Sequence, residues 1–124
     1  MERFIVLYQE WEESERGWGV RPDGYSLHID AEHHKTYVEK FMKDQHKFFT
    51  SSGMSEDAVP DEYSRPSGSP IHVNVSAEVH AQLTARGGDY MGSNFDGIKI
   101  DAAHNLVGAP KGLTESPEQP KPAA

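Results

Sequence analysis

Asp30-Ala31-Glu32-His33-His34-Lys35-Thr36-Tyr37-Val38-Glu39-Lys40-Phe41-Met42-Lys43-Asp44-Gln45-His46-Lys47-Phe48-Phe49 is the stretch that decides the fold class. Asp30 is a good N-cap, because its carboxylate can accept hydrogen bonds from the free N–H groups of a first helical turn. Tyr37, Val38, Phe41, Met42, Phe48 and Phe49 fall on one stripe at helical spacing, which predicts an amphipathic helix over 31–49. The other face alternates charge, with Glu39/Lys43 and Lys40/Asp44 four residues apart. Lys40, Lys43 and Lys47 share part of that face and read as solvated surface rather than as a phosphate track.

Upstream, residues 4–8 form a continuous apolar, β-rich run, the pattern of a strand covered on both faces. Residues 9–15 are polar, so that strand is expected to end or to become a solvated ribbon near Trp11. Residues 18–20 and 25–29 read as strand pieces on either side of Arg21-Pro22-Asp23-Gly24, which fits a type I turn. Downstream, residues 50–70 read as a long polar connection rich in Gly, Pro and Ser. Within it, Tyr63-Ser64-Arg65-Pro66-Ser67-Gly68 echoes the earlier Arg-Pro turn. Ile71, Val73 and Val75 alternate with His72 and Asn74, as in a half-buried strand. Ser76 then caps a short helix over 77–86 that buries Val79 and Leu83, and Gly87-Gly88 stops it. Tyr90-Met91 and residues 98–100 predict a hairpin across the turn residues 94–97.

The expected architecture is α+β. A small, mainly antiparallel sheet packs against one long amphipathic helix and one short helix, in a single domain over 1–107. Residues 108–124 read as a Pro-rich disordered tail.

The chain has 124 residues, a formal net charge of −8, a hydrophobic fraction of 35% and no cysteine. That length allows one modest core. The missing cysteines remove disulfides, thiolate nucleophiles and cysteine-based zinc sites, which suits a cytoplasmic setting. The net charge opposes general nucleic-acid binding, since the phosphate contribution is repulsive. No run approaches the length of a membrane span, and the N-terminal apolar run is too short for a signal peptide.

Candidate binding residues cluster around the two Arg-Pro segments: Arg16, Trp18, Arg21, Asp23, Tyr25, His28, Tyr63 and Arg65. Arg can grip phosphate or carboxylate with two N–H groups, while Trp or Tyr stacks on a planar ligand. The same set suits a protein hot spot. Arg21 and Arg65 are expected either to mark two unrelated turns or to converge on one anionic ligand. His28, Asp30, His33 and His34 bring together groups that suit zinc, iron or manganese. Asp30, however, is already accounted for as a cap, and His33 and His34 fall in an exposed first turn. Ser26 lacks a Gly-x-Ser-x-Gly elbow, and the chain has no P-loop and no dinucleotide fingerprint. No residue set specifies a reaction or a cofactor.

The segment from Trp11 through Arg16, Trp18, Arg21-Pro22-Asp23-Gly24-Tyr25-Ser26-Leu27 to His28 resembles small proteins encoded by bacteriophages and prophages. The resemblance covers about the first third of the chain, with a weaker echo over 59–66. It implies a non-enzymatic phage-type accessory role in the host cytoplasm, directed at a host protein or at host defence. A sponge-like binder of a small nucleotide and a metal-dependent hydrolase centred on His28 and Asp30 are the alternatives. A homo-oligomer is compatible with each.

Overall fold

The computed structural model of the chain describes residues 3–14, 19–51, 53, 64–108 and 110–114. Its centre is a four-stranded antiparallel sheet of β1 (Arg3–Ser14), β2 (Val20–His28), β3 (Ser64–Ser76) and β4 (Asp89–Gly92), in the order β3-β1-β2-β4. Helix α1 (Ala31–Ser51) covers one face. The other is covered by α2 (Ala77–Ala85), a ribbon of β5 (Lys99–Ile100) and β6 (Leu106–Val107), and the short α3 (Lys111–Thr114). The fold is therefore α+β, with three α-helices among the described residues.

β1 is central, and its alternation sorts side chains between two environments. Phe4, Val6 and Tyr8 join Tyr25, Leu27, Val73, Val75, Val79, Leu83, Leu106 and Leu113 in the apolar core. Gln9 and Trp11 turn the other way and meet His34, Tyr37 and Phe41 of α1. Of the two expected outcomes near Trp11, the strand does not end there but runs on to Ser14, paired on both sides through Glu13.

Both expected Arg-Pro turns are strand instead. β2 passes through Arg21-Pro22-Asp23-Gly24 without a break and takes up one extra residue, because Tyr25 lies opposite Glu10 but Pro22 lies opposite Glu12. Gly24, at φ +87°, absorbs that bulge, and a Cβ there would collide with the Gly92 carbonyl oxygen. β4 pairs only with residues 25–28 of β2, so among the described residues the N-terminal half of β2 has no strand on that side. The Asn94 side chain stands in for one: Gly24 N–H donates to its Oδ1 at 2.5 Å, and its Nδ2 donates to the Pro22 carbonyl at 2.8 Å.

The expected connection over 50–70 ends earlier, because β3 already begins at Ser64; its residues 54–63 lie outside the described residues. Two extra residues of β3 bulge between Tyr8 and Glu10 of β1. Gln9 closes this bulge, its Nε2 donating to the carbonyls of Ser67 at 3.3 Å and Gly68 at 3.1 Å. Pro66 and Pro70 are tolerated because β3 is an edge strand.

Both helices start where their caps place them. Asp30 Oδ1 accepts from His33 N–H at 2.9 Å, and Ser76 Oγ accepts from Val79 N–H at 3.2 Å. Val79 and Leu83 are buried as expected, and Gly87 and Gly88 both adopt positive φ at the end of α2. The aromatic stripe of α1 is different: none of its residues is fully buried, and Phe48 is 66% exposed.

The expected hairpin between Tyr90-Met91 and residues 98–100 does not form, because β4 pairs with β2 and β5 pairs with β6. The start of the expected tail from residue 108 is packed instead, with Pro110 and Leu113 fully buried. Gly112 N–H donates to the Tyr90 hydroxyl at 3.0 Å, and Arg86 donates to the Gly112 carbonyl. Residues 115–124 lie outside the described residues. Among the described residues, no helix is long and apolar enough to cross a membrane.

Candidate functional site

The register brings two of the predicted residues to one end of the sheet. Arg21 lies opposite Glu13 on one side of β1, and Arg65 lies opposite Glu12 on the other. Each pair closes an ion pair, at 3.2 Å for Arg21–Glu13 and 2.7 Å for Arg65–Glu12. Hydrogen bonds from Arg65 and Ser67, with the Arg65 charge, hold the Glu12 carboxyl below the usual carboxylate range. Asp23 joins the same end by accepting from the Ser64 hydroxyl at 2.7 Å. The two arginine-bearing segments therefore reach the same end of the sheet, each with an acidic partner, but Glu12 and Glu13 alternate along β1, so Arg65 and Arg21 lie on opposite faces.

The remaining predicted residues separate. Tyr25 is buried in the apolar core and donates to Asp96 Oδ2 at 2.6 Å; burial and that carboxylate push its phenol far up. His28 is buried on the opposite face of the sheet. Arg16, Trp18 and Tyr63 lie outside the described residues.

Next to Arg21 and Asp23 the surface opens into grooves. One, of about 660 Å³, is lined by Glu13, Arg21, Pro22, Asp23, Asn94 and Phe95. A second, of about 370 Å³, shares Asp23, Asn94 and Phe95 and reaches Phe41. A third, of about 400 Å³, continues from Phe41 along α1 to Asp44, Gln45, Phe48 and Phe49. The first two share Asp23, Asn94 and Phe95 and the last two share Phe41, so the three lie side by side from the sheet end to the C-terminal half of α1 and are together called the trough. Phe95 stands on its wall with 87% of its surface in solvent. It sits in a single 3-10 turn (Asn94–Asp96), capped by the Ser93 hydroxyl, which accepts from Phe95 N–H at 3.1 Å. Phe95 was missed in the sequence because its segment reads as ordinary turn residues; a large aromatic within such a run is the signal that could have found it.

Beneath α1 lies a buried polar chain. Trp11 Nε1–H donates to Ser26 Oγ at 2.8 Å, Ser26 Oγ meets His28 Nε2 at 2.7 Å, and His28 Nδ1 meets Asp89 Oδ1 at 2.7 Å. The Asp89 carboxylate only accepts, so Nδ1 carries the proton, and the Ser26 hydroxyl donates to Nε2 of a neutral ring. The elements of a Ser-His-Asp grouping are thus assembled, although no local context in the sequence announced it. In this arrangement Ser26 is fully closed to solvent, and its oxygen already accepts from an indole. It lies within a strand rather than on an exposed elbow, so no acyl group can approach it.

Desolvation holds the His28 imidazole below its ordinary range, against the opposing pull of Asp89. His34 Nε2 donates to Gln9 Oε1 at 2.8 Å, and burial lowers this imidazole too. His33 bonds to Asp30, which raises it. Both His28 nitrogens, the bonded nitrogens of His33 and His34, and the Asp30 cap are therefore committed to contacts within the protein. Among the described residues, no three His, Asp or Glu side chains converge so as to hold a metal ion.

No family model matches the chain, and neither does a curated protein or a solved structure.

Proposed function

We propose that the protein is a non-enzymatic binding protein whose trough takes a segment of another protein. The observation that carries this reading is Phe95, a large apolar side chain 87% exposed on a wall braced by the Asn94 clamp. Exposed aromatics beside a groove with a polar, charged rim are the usual anchors of protein recognition. In the phage-type accessory role that the sequence resemblance implies, the partner is a host protein, met in the host cytoplasm.

The small-nucleotide alternative lacks a shared site for Arg21 and Arg65, which pair with alternate side chains of β1. It loses further from Glu12 and Glu13, which already neutralise them in a protein of net charge −8. A phosphate at either arginine would have to displace a carboxylate that remains beside it.

The test is co-purification of the native chain with its partner, repeated for Phe95→Ala. A hot-spot aromatic costs about 2 kcal/mol or more on truncation, roughly 30-fold in affinity. The expected result is loss of the captured protein with an unchanged melting temperature. Equal capture by Phe95→Ala, or a retained nucleotide in place of a protein, would overturn the reading.

A further inference from the structure

The buried chain beneath α1 ends at the trough. Asp89 holds His28, His28 receives the Ser26 hydroxyl, Ser26 receives the Trp11 indole, and the Trp11 ring packs on Phe41 at a centroid distance of 4.7 Å. Phe41 lines two of the three grooves. A change at Nε2 of His28 therefore has a continuous path of contacts to the trough wall.

Neutral His28 is what the chain requires. Protonating Nε2 turns an acceptor into a donor aimed at Ser26 Oγ, so the oxygen must accept from both the ring and the Trp11 N–H and its own hydrogen must leave that line. The Ser26 hydroxyl then loses its acceptor inside a fully closed site. Every packed element contributes to the environment of that proton. From β4, Asp89 favours it. From α1, His34 at 5.1 Å, His33 and the dipole at the helix N-terminus oppose it, while Tyr37 packs on the ring at 5.0 Å. Asp30 faces His33 rather than His28. Opposite His28 on β1 stands Leu7, which carries no charge.

We propose that Asp89, His28, Ser26 and Trp11 form a proton-sensitive latch that sets how α1 sits on the sheet and, through Phe41, the shape of the trough. With His28 neutral the latch is closed. With His28 protonated, Ser26 turns, Trp11 is released and the Phe41 wall shifts. Only the consequence for partner binding rests on the trough being the recognition surface; the latch is read without any partner.

The experiment is an NMR titration of the full chain from about pH 8 to about pH 5, the range in which imidazoles change charge. It follows the ring nitrogens of His28, the indole N–H of Trp11 and the ring of Phe41. The expected result is one shared midpoint, below 6.5, for all three, with Val75 and Leu83 unmoved. Asp89→Asn keeps an acceptor for Nδ1 but removes the charge that favours the proton, so all three midpoints move to lower pH together. In Ser26→Ala, His28 still titrates while Trp11 and Phe41 no longer follow it. The wild-type and Asp89→Asn titrations decide the matter even if Ser26→Ala does not fold. Trp11 and Phe41 resonances that stay fixed while His28 titrates would overturn the proposal. So would global unfolding as the first event on protonation.

Discussion

On one face of the sheet, Val6, Leu27, Val73 and Val75 join Val79 and Leu83 of α2 in an apolar cluster, whose hydrogen-bonding groups are confined to tyrosine hydroxyls at its edge. On the other, α1 covers Gln9, Trp11, Ser26 and His28, each of which makes a side-chain hydrogen bond. Among the described residues, no buried side-chain nitrogen or oxygen lacks a partner. The apolar face derives its stability from burial, which is non-directional and does not change with pH. The α1 face derives its order from a chain of directional bonds that holds only in one protonation state. The first face anchors the fold. The second makes the position of α1, and the groove it borders, adjustable.

The contrast is broken or sharpened most strongly by Leu83→Ala. Leu83 is fully buried among β-strand valines, so the change should cost about 2–5 kcal/mol by lost burial and a cavity. Urea denaturation measures it, and a cost under about 1 kcal/mol would mean that the apolar face is not the anchor.

Ser26→Ala should cost less, about 1–3 kcal/mol, because the Trp11 N–H and His28 Nε2 are left facing a methyl group. The same denaturation curve, together with a shift of the Trp11 indole resonance, checks it. A neutral effect would mean that the polar chain adds nothing to the seating of α1.

The smallest effect is expected for Arg21→Ala. The Arg21 side chain is 59% exposed, and its ion pair with Glu13 is solvent-screened, so stability should change by no more than about 0.5 kcal/mol. A thermal melt that falls by many degrees would make the sheet end a structural element rather than a rim.

How far the sequence foretold this arrangement follows the same divide. The caps at Asp30 and Ser76, the burial of Val79 and Leu83 and the Gly87-Gly88 stop are local, and each was legible from neighbouring residues. The Arg21–Gly24 segment was misread because Pro, Asp and Gly serve a bulged strand as well as a turn. Gly24 needs its positive φ in the bulge, and Pro22 finds its hydrogen-bond partner in Asn94, 72 residues away. The pairing of His28 with Asp89 spans 61 residues and exists only because β4 docks on β2. The stripe of α1 was read as a core face, but its helix covers hydrogen-bonded side chains and leaves Phe48 largely in solvent. Helical spacing reports which side is apolar, not what that side meets.

Native-state hydrogen exchange as a function of pH tests the division between the two faces most directly. His28 and His34 are held below the ordinary imidazole value of 6.5 in the folded protein, so the unfolded chain binds more protons as pH falls. Their contribution is therefore complete above about 6.5 and declines as pH drops through the folded midpoints. His33, raised by Asp30, acts in the opposite sense, but it is exposed and screened. After correction for intrinsic exchange, the opening free energy of α1 amides should fall between about pH 7.5 and about pH 5.5, while that of α2 and central β1 amides stays at the value for global unfolding. Equal protection of α1 and α2, unchanged across that range, would contradict the account.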